Sequence, residues 1–147
     1  MRTQSIHIVD EDPSAALVTQ RGLQSAFSEV VDVSVASSPN EARIRCATGN
    51  VDLLIVDPRP ASSASLRLVG AVRAEQPELP ILVLTAYDTP GLRNRMRALG
   101  VTYYLAKPVE LREVVPLVSR ALFSPRSDPV ALTSNSPEFV QRCRFAR

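Results

Sequence analysis

Short runs of apolar residues recur along the chain, and segments with helical spacing separate them. Each run has four to six residues, a length that suits a strand buried on both faces of a sheet. Strands that alternate with helices predict a parallel sheet with right-handed crossovers. The predicted strands are residues 5–9, 31–36, 53–56, 81–84 and 101–106.

Five intervening segments carry the apolar spacing or the boundary residues of helices. Ser38 is a predicted N-cap, because Glu41 follows it at the third helical position. Pro116 falls inside the last segment, where a proline is expected to kink or divide a helix. The predicted helices are residues 15–27, 39–48, 66–75, 92–99 and 110–122.

Four of the predicted strands end in polar residues of different chemical types: Asp10, Glu11 and Asp12 after the first, Asp57 after the third, Thr85 after the fourth and Lys107 after the fifth. The carboxyl ends of parallel strands share one edge of a sheet, where ligands bind in α/β folds, so we expect these side chains to converge. Clustered carboxylates repel one another unless a cation or protons relieve them, and oxygen ligands favour a hard cation such as Mg²⁺. A lysine that ends a buried strand is costly unless an anion receives it. The pattern therefore suggests a metal-assisted phosphoryl site.

Each of these residues also has a purely structural interpretation. Asp10, Glu11 and Asp12 would serve as a cap for the first helix, and Asp57 would start a turn. Threonine and tyrosine are common residue types in strands, so Thr85 alone carries little information. Only the combination, in this order and with these separations, favours a functional site.

Length, net charge and cysteine spacing limit the classes of protein to which this chain can belong. The 147 residues fit one domain, and a net charge of +2 gives no reason to expect nucleic-acid or membrane binding. The two cysteines lack the spacing of metal ligands, and we expect both to be reduced. No apolar stretch is long enough to cross a bilayer and no signal-peptide pattern begins the sequence, so we expect a cytoplasmic protein.

Residues 1–123 are the predicted domain, and the Ser/Pro-rich residues 124–147 are a predicted linker or tail with a short helix near 138–146.

Over about residues 4–123 the chain resembles a receiver domain of the bacterial two-component response regulators. The resemblance rests on the segments IHIVDEDP, VDLLIVD, PILVLTA and YYLAKP, which contain the polar strand ends described above. It implies an α/β fold, namely a flavodoxin-like doubly wound sheet of five parallel strands in the order 2-1-3-4-5 with five helices.

The resemblance also implies a role for each site residue, and Mg²⁺ as the cofactor. Asp57 would be the phospho-acceptor, with Lys107 binding the phosphate. Ala86 would be the small residue beside the phosphate, and Thr85 and Tyr104 would form the switch. The implied metal ligands are Asp10, Glu11, Asp57 and the backbone carbonyl of Arg59.

Two positions depart from the usual pattern of that family. Glu11 stands where aspartate is more common, so this ligand is longer by one methylene group. After Asp57 the chain has Pro58-Arg59-Pro60-Ala61 where the family usually has a Met-Pro pair. Pro58 removes a backbone donor, and the two prolines restrict the loop. Both departures bear on Mg²⁺ affinity and on the rate of phosphorylation.

By this resemblance the chain is a signalling switch and not an enzyme, apart from intrinsic autodephosphorylation. It would accept a phosphoryl group from a phosphohistidine of a sensor histidine kinase or a phosphotransfer protein. The face formed by its fourth helix, fifth strand and fifth helix would then change its contacts with a downstream protein, an effector domain or a second copy of the chain. Two alternatives stay open: a receiver-fold protein-binding module that works without phosphorylation, and a receiver excised from a longer transcriptional regulator.

Overall fold

Strands and helices alternate along the chain in a computed structural model, which describes residues 2–59 and 63–124. Its strands are β1 (Gln4–Asp10), β2 (Val31–Val35), β3 (Leu53–Asp57), β4 (Ile81–Thr85) and β5 (Tyr103–Ala106). Its helices are α1 (Pro13–Phe27), α2 (Pro39–Ala47), α3 (Ala64–Glu75), α4 (Pro90–Ala98) and α5 (Leu111–Phe123). The strands pair in parallel in the order β2-β1-β3-β4-β5, so the implied strand order is confirmed. The predicted tail helix near 138–146 lies outside the described residues.

Helices cover both faces of the sheet, and this accounts for the nearly continuous apolar runs. Successive side chains of a strand point to opposite faces. Ile8 of β1 therefore packs in a core with residues of α1 and α5. Its neighbour Val9 packs in a second core with residues of α2, α3 and α4. The sheet separates the two cores and is held between them.

Three of the polar strand ends are part of the sheet itself. β1 ends at Asp10, β3 at Asp57 and β4 at Thr85, each one residue beyond the predicted end. Asp10 and Asp57 are register partners on neighbouring strands. Thr85 is the register partner of Ala106 on β5. Strand hydrogen bonding therefore positions the backbone of these residues.

Side chains cap the N-termini of α1, α2 and α4. Asp12 caps α1, where its side chain accepts the backbone N–H of Ser14 at 2.9 Å. Ser38 caps α2 by accepting the N–H of Glu41 at 3.0 Å, as predicted. Thr89 caps α4 in the same way. The capping interpretation of the acidic run is therefore correct for Asp12.

Helix α5 continues through Pro116 without a break, so the proline does not divide it. Val114 and Val118 are buried against the sheet on either side of this exposed residue. Packing of the apolar face therefore outweighs the hydrogen bond that the proline cannot donate. None of the helices described here is long and apolar enough to span a membrane.

Candidate functional site

Two aspartates lie side by side at the carboxyl edge of the sheet. Asp10 ends β1, Asp57 ends β3, and the two are register partners. Their side chains are buried, with 4% and 7% of the side-chain surface exposed. Asp10 Oδ1 accepts the backbone N–H of Asp12 at 2.9 Å, which orients the carboxylate. Two buried carboxylates on neighbouring strands need positive charge nearby if both are to stay ionised.

Lys107 provides part of that charge. It directly follows β5, and its Nζ donates a hydrogen bond to Asp57 Oδ2 at 3.0 Å. The same Nζ lies 3.6 Å from Asp10 Oδ2. The Lys107–Pro108 peptide bond is cis. Three residues singled out in the sequence, from three different strand ends, therefore meet at one point.

The surroundings of Asp57 act on its charge in opposite directions. Burial raises the pKa of the Asp57 carboxyl, because the charged form is poorly solvated. The hydrogen bond and charge of Lys107 lower this pKa, the charge of Asp10 raises it, and that of Arg59 lowers it. Asp57 Oδ1 is buried and has no hydrogen-bond partner among residues 2–59 and 63–124. This oxygen is available as a nucleophile or as a metal ligand.

A second cation reaches the acidic residues from the loop after β3. Arg59 Nη2 lies 3.9 Å from Asp10 Oδ1, and Arg59 Nε lies 3.6 Å from Glu11 Oε2. The guanidinium carbon is 5.8 Å from the centroid of the Tyr87 ring, within cation–π range. The resemblance implies a metal-binding backbone carbonyl at Arg59 and places the residue beside the phospho-acceptor. It does not predict that the side chain reaches Asp10 and Glu11, and no local pattern signals this contact.

The metal ligands implied by the resemblance are only partly assembled. Across the described residues, no three His, Cys, Asp or Glu side chains are grouped closely enough to hold a metal ion. Glu11 pairs with Arg59, and 42% of its side-chain surface is exposed. Asp10 and Asp57 still fit Mg²⁺, which proteins often hold with one or two carboxylates while waters and phosphate oxygens complete the shell. The unpartnered Oδ1 of Asp57 is a suitable ligand atom.

The Thr85 hydroxyl bonds to the loops after β3 and β4. Thr85 is fully buried, and its Oγ1 donates to the carbonyl of Pro58 at 3.4 Å. The same Oγ1 accepts the backbone N–H of Tyr87 at 3.0 Å. Ala86 follows at the surface, directly after the end of β4. The Thr85 hydroxyl therefore links the loop after β3 to the loop after β4.

The ring of Tyr104 already lies inside the protein. It is fully buried in the core shared with α2, α3 and α4, and its hydroxyl donates to Asp88 Oδ1 at 2.8 Å. Arg93 of α4 donates to both Asp88 oxygens, at 3.2 Å and 2.5 Å. The resemblance implies that Tyr104 is part of the switch, and its ring lies inward in this structure. Sequence reasoning did not identify Asp88 as its partner, or Arg93 as a partner of Asp88.

Comparison with known proteins decides the family. Residues 6–119 match the response regulator receiver domain family. The chain belongs to this family. Receiver domains are signalling switches of two-component systems that act with kinases and effector domains, and they typically bind Mg²⁺ at an acidic phosphorylation site.

Receiver domains of longer regulators are among the similar sequences. The DNA-binding transcriptional regulator NtrC of Rhizobium meliloti is 27% identical over 138 residues, which cover 94% of this chain and 28% of that protein. The photosynthetic apparatus regulatory protein RegA of Rhodobacter capsulatus is 26% identical over 147 residues, covering 95% of this chain and 76% of that protein. The chain thus spans less than a third of the length of the NtrC relative.

Solved receiver structures superimpose on the same region. A putative response regulator from Chloroflexus aurantiacus is 31% identical with a TM-score of 0.71, covering 82% of this chain and 98% of that one. The receiver domain of nitrogen regulatory protein C is 28% identical with a TM-score of 0.70, covering 83% of this chain and 96% of that one. Both comparisons agree with the receiver fold described above.

Proposed function

We propose that this receiver domain accepts a phosphoryl group on Asp57 from a phosphohistidine of a sensor histidine kinase or a phosphotransfer protein. The environment of the Asp57 carboxylate carries the proposal. Lys107 binds its Oδ2 at 3.0 Å, while Oδ1 is buried without a hydrogen-bond partner among the described residues. Burying a carboxylate in this way is costly, and a scaffold that worked without phosphate would have no use for it.

The Asp57 carboxylate would be the nucleophile. One of its oxygens attacks phosphorus, the P–N bond to the donor histidine breaks, and the electron pair of that bond returns to the imidazole nitrogen. Aspartate is ordinarily ionised at neutral pH, so the attack needs no general base. Lys107 would pair with one phosphoryl oxygen, and the backbone N–H of Ala86 would donate to another.

Asp10 and Asp57 would hold Mg²⁺, with Glu11 and the Arg59 carbonyl as the remaining predicted ligands. When bound, this ion supplies positive charge that offsets the repulsion between the acceptor and the incoming phosphoryl group. The backbone N–H of Asp12 already orients Asp10 by bonding to Oδ1 at 2.9 Å. That bond leaves Oδ2 of Asp10 facing Lys107, 3.6 Å from Nζ.

Phosphorylation would act through Thr85 and Tyr104. The phosphate would draw the Thr85 hydroxyl away from the Pro58 carbonyl, to which it donates at 3.4 Å. Phosphorylation would shift the population of Tyr104 towards the inward ring, whose hydroxyl donates to Asp88. The surface of α4, β5 and α5 would then be recognised by a downstream protein, an effector domain or a second copy, within the cytoplasm.

Binding of beryllofluoride, an analogue of the phosphoryl group, tests this proposal. We expect saturable, Mg²⁺-dependent binding to the wild-type chain, followed by fluorine NMR. Asp57→Asn should abolish it. The matched control is Asp32→Asn, which removes an exposed carboxylate on the edge strand β2 and should leave binding unchanged. No binding to the wild type at millimolar Mg²⁺ would instead favour a module that works without phosphate.

A further inference from the structure

Arg59 and Lys107 approach different oxygens of the same buried carboxylate. Lys107 Nζ lies 3.6 Å from Asp10 Oδ2, whereas Arg59 Nη2 lies 3.9 Å from Asp10 Oδ1. Arg59 also reaches Glu11, with 3.6 Å between Nε and Oε2. The guanidinium therefore bridges two of the carboxylates that are predicted to bind the metal.

The charges around the site show what the arginine contributes. The carboxylates of Asp10, Glu11 and Asp57 carry three negative charges, and the cations of Lys107 and Arg59 leave one of them uncompensated. Without Arg59 two negative charges would remain, which match a divalent cation. The Asp10 side chain is only 4% exposed, so water screens its interactions poorly and one added cation has a large effect.

The guanidinium contacts both carboxylates through charge. Neither of its contacts with the carboxylates is as short as a hydrogen bond. Arg59 Nε is buried and finds no hydrogen-bond partner in the parts of the chain that the structure describes. The two carboxylates attract its charge and the Tyr87 ring lies 5.8 Å away, so another cation would compete with it for the same carboxylates.

We propose that Arg59 is a built-in counter-cation that competes with a divalent metal for Asp10 and Glu11. The inference rests on the proposed function, because the same carboxylates serve both. In metal-free protein the positive charge of Arg59 compensates the charges of Asp10 and Glu11. The guanidinium must move away before the Glu11 carboxylate can bind a metal ion. Arg59 thereby keeps the metal affinity below what the carboxylates alone would give, and makes occupancy of the site depend on the Mg²⁺ concentration.

Calorimetric titration of the full chain with Mg²⁺ tests the competition directly. Arg59→Met removes the charge but keeps an unbranched side chain, and we expect its Mg²⁺ dissociation constant to be roughly tenfold lower than that of the wild type. Arg59→Lys keeps the charge and should bind Mg²⁺ nearly as weakly as the wild type. The control is Arg21→Met, which removes an exposed arginine from α1 and should leave the affinity unchanged.

Thermal unfolding gives a second readout and checks that the variant folds. In EDTA, Arg59→Met should unfold at a lower temperature than the wild type, because Asp10 and Glu11 have lost a counter-charge. In saturating Mg²⁺ the difference should shrink or reverse, because the tighter-binding variant gains more from the ligand. A structural role for Arg59 alone predicts the same deficit in both buffers.

Equal Mg²⁺ affinities of the wild type and Arg59→Met would overturn the inference. It would also be overturned if Arg21→Met gained as much Mg²⁺ affinity as Arg59→Met. Beryllofluoride binding, measured on the same samples, separates this failure from that of the proposed function. Binding of beryllofluoride with unchanged Mg²⁺ affinity would refute only the competition. If neither variant nor wild type bound Mg²⁺ or beryllofluoride, both proposals would be refuted.

Discussion

Replacing Tyr104 with phenylalanine would remove one hydroxyl group and leave the packing of the buried ring in place. That hydroxyl donates to Asp88 Oδ1 at 2.8 Å. Arg93 would still bind both oxygens of Asp88 in the variant. The substitution therefore removes this hydrogen bond to a charged group, which joins β5 to the loop before α4.

The expected magnitude follows from the surroundings of this bond. Hydrogen bonds to charged groups contribute about 1.5–3 kcal/mol to stability. In the variant, Asp88 keeps Arg93 as a hydrogen-bond partner, and 15% of its side-chain surface is exposed to water. Its carboxylate would therefore lose only part of its stabilisation. We therefore expect Tyr104→Phe to lower the free energy of unfolding by about 1–2 kcal/mol.

Urea denaturation followed by far-UV circular dichroism measures this loss. The control is Tyr87→Phe, since Tyr87 is exposed and its change should stay within about 0.5 kcal/mol. Adding Asp88→Asn completes a double-mutant cycle, in which we expect the two substitutions to be coupled by about 1 kcal/mol. Equal losses in the two tyrosine variants, or strictly additive effects with Asp88→Asn, would refute the idea that this bond holds the ring inward.

Three further variants test the site and the fold. Asp57→Asn should stabilise metal-free protein at neutral pH. Burial raises the pKa of the Asp57 carboxyl in the folded state, so the stability of the wild type falls as pH rises from the pKa of the unfolded state towards that of the folded state. The higher urea midpoint of the variant should therefore disappear below about pH 4, where the wild-type carboxyl is protonated in both states. Lys107→Met leaves the buried carboxylates of Asp57 and Asp10 without their shared ammonium, so it should cost about 1–3 kcal/mol by urea denaturation and weaken beryllofluoride binding; an unchanged midpoint would contradict this. Pro116→Ala restores a backbone donor inside α5 and should raise the free energy of unfolding by about 1–3 kcal/mol, whereas a lower urea midpoint would show that the proline suits the helix.

The strands were predictable because both faces of the sheet are buried. A strand covered on both sides has no polar face, so a run such as residues 53–56 reads as uninterrupted apolar sequence. The meeting of Asp57 with Lys107 was predictable for a related reason, since parallel strands bring their carboxyl ends to one edge whatever their separation in sequence. The continuity of α5 was not, because tertiary packing overrides the local effect of Pro116.

Side chains that reach the site from loops could not be predicted. The position of the Arg59 guanidinium depends on the path of the loop after β3, and nothing periodic encodes that path. The choice of Asp88 as the partner of Tyr104 likewise depends on how the loop after β4 returns to the sheet. Glu11 stays a predicted metal ligand, and no sequence pattern indicated that its carboxylate lies 3.6 Å from the Arg59 side chain.

Mapping the site of phosphorylation tests the central claim most directly. The chain would be incubated with acetyl phosphate and Mg²⁺, the acyl phosphate trapped by borohydride reduction, and the modified residue identified by mass spectrometry. We predict one label, on Asp57, that requires Mg²⁺ and is absent from Asp57→Asn. Undiminished labelling of Asp57→Asn, or an unlabelled wild type in millimolar Mg²⁺, would contradict the account.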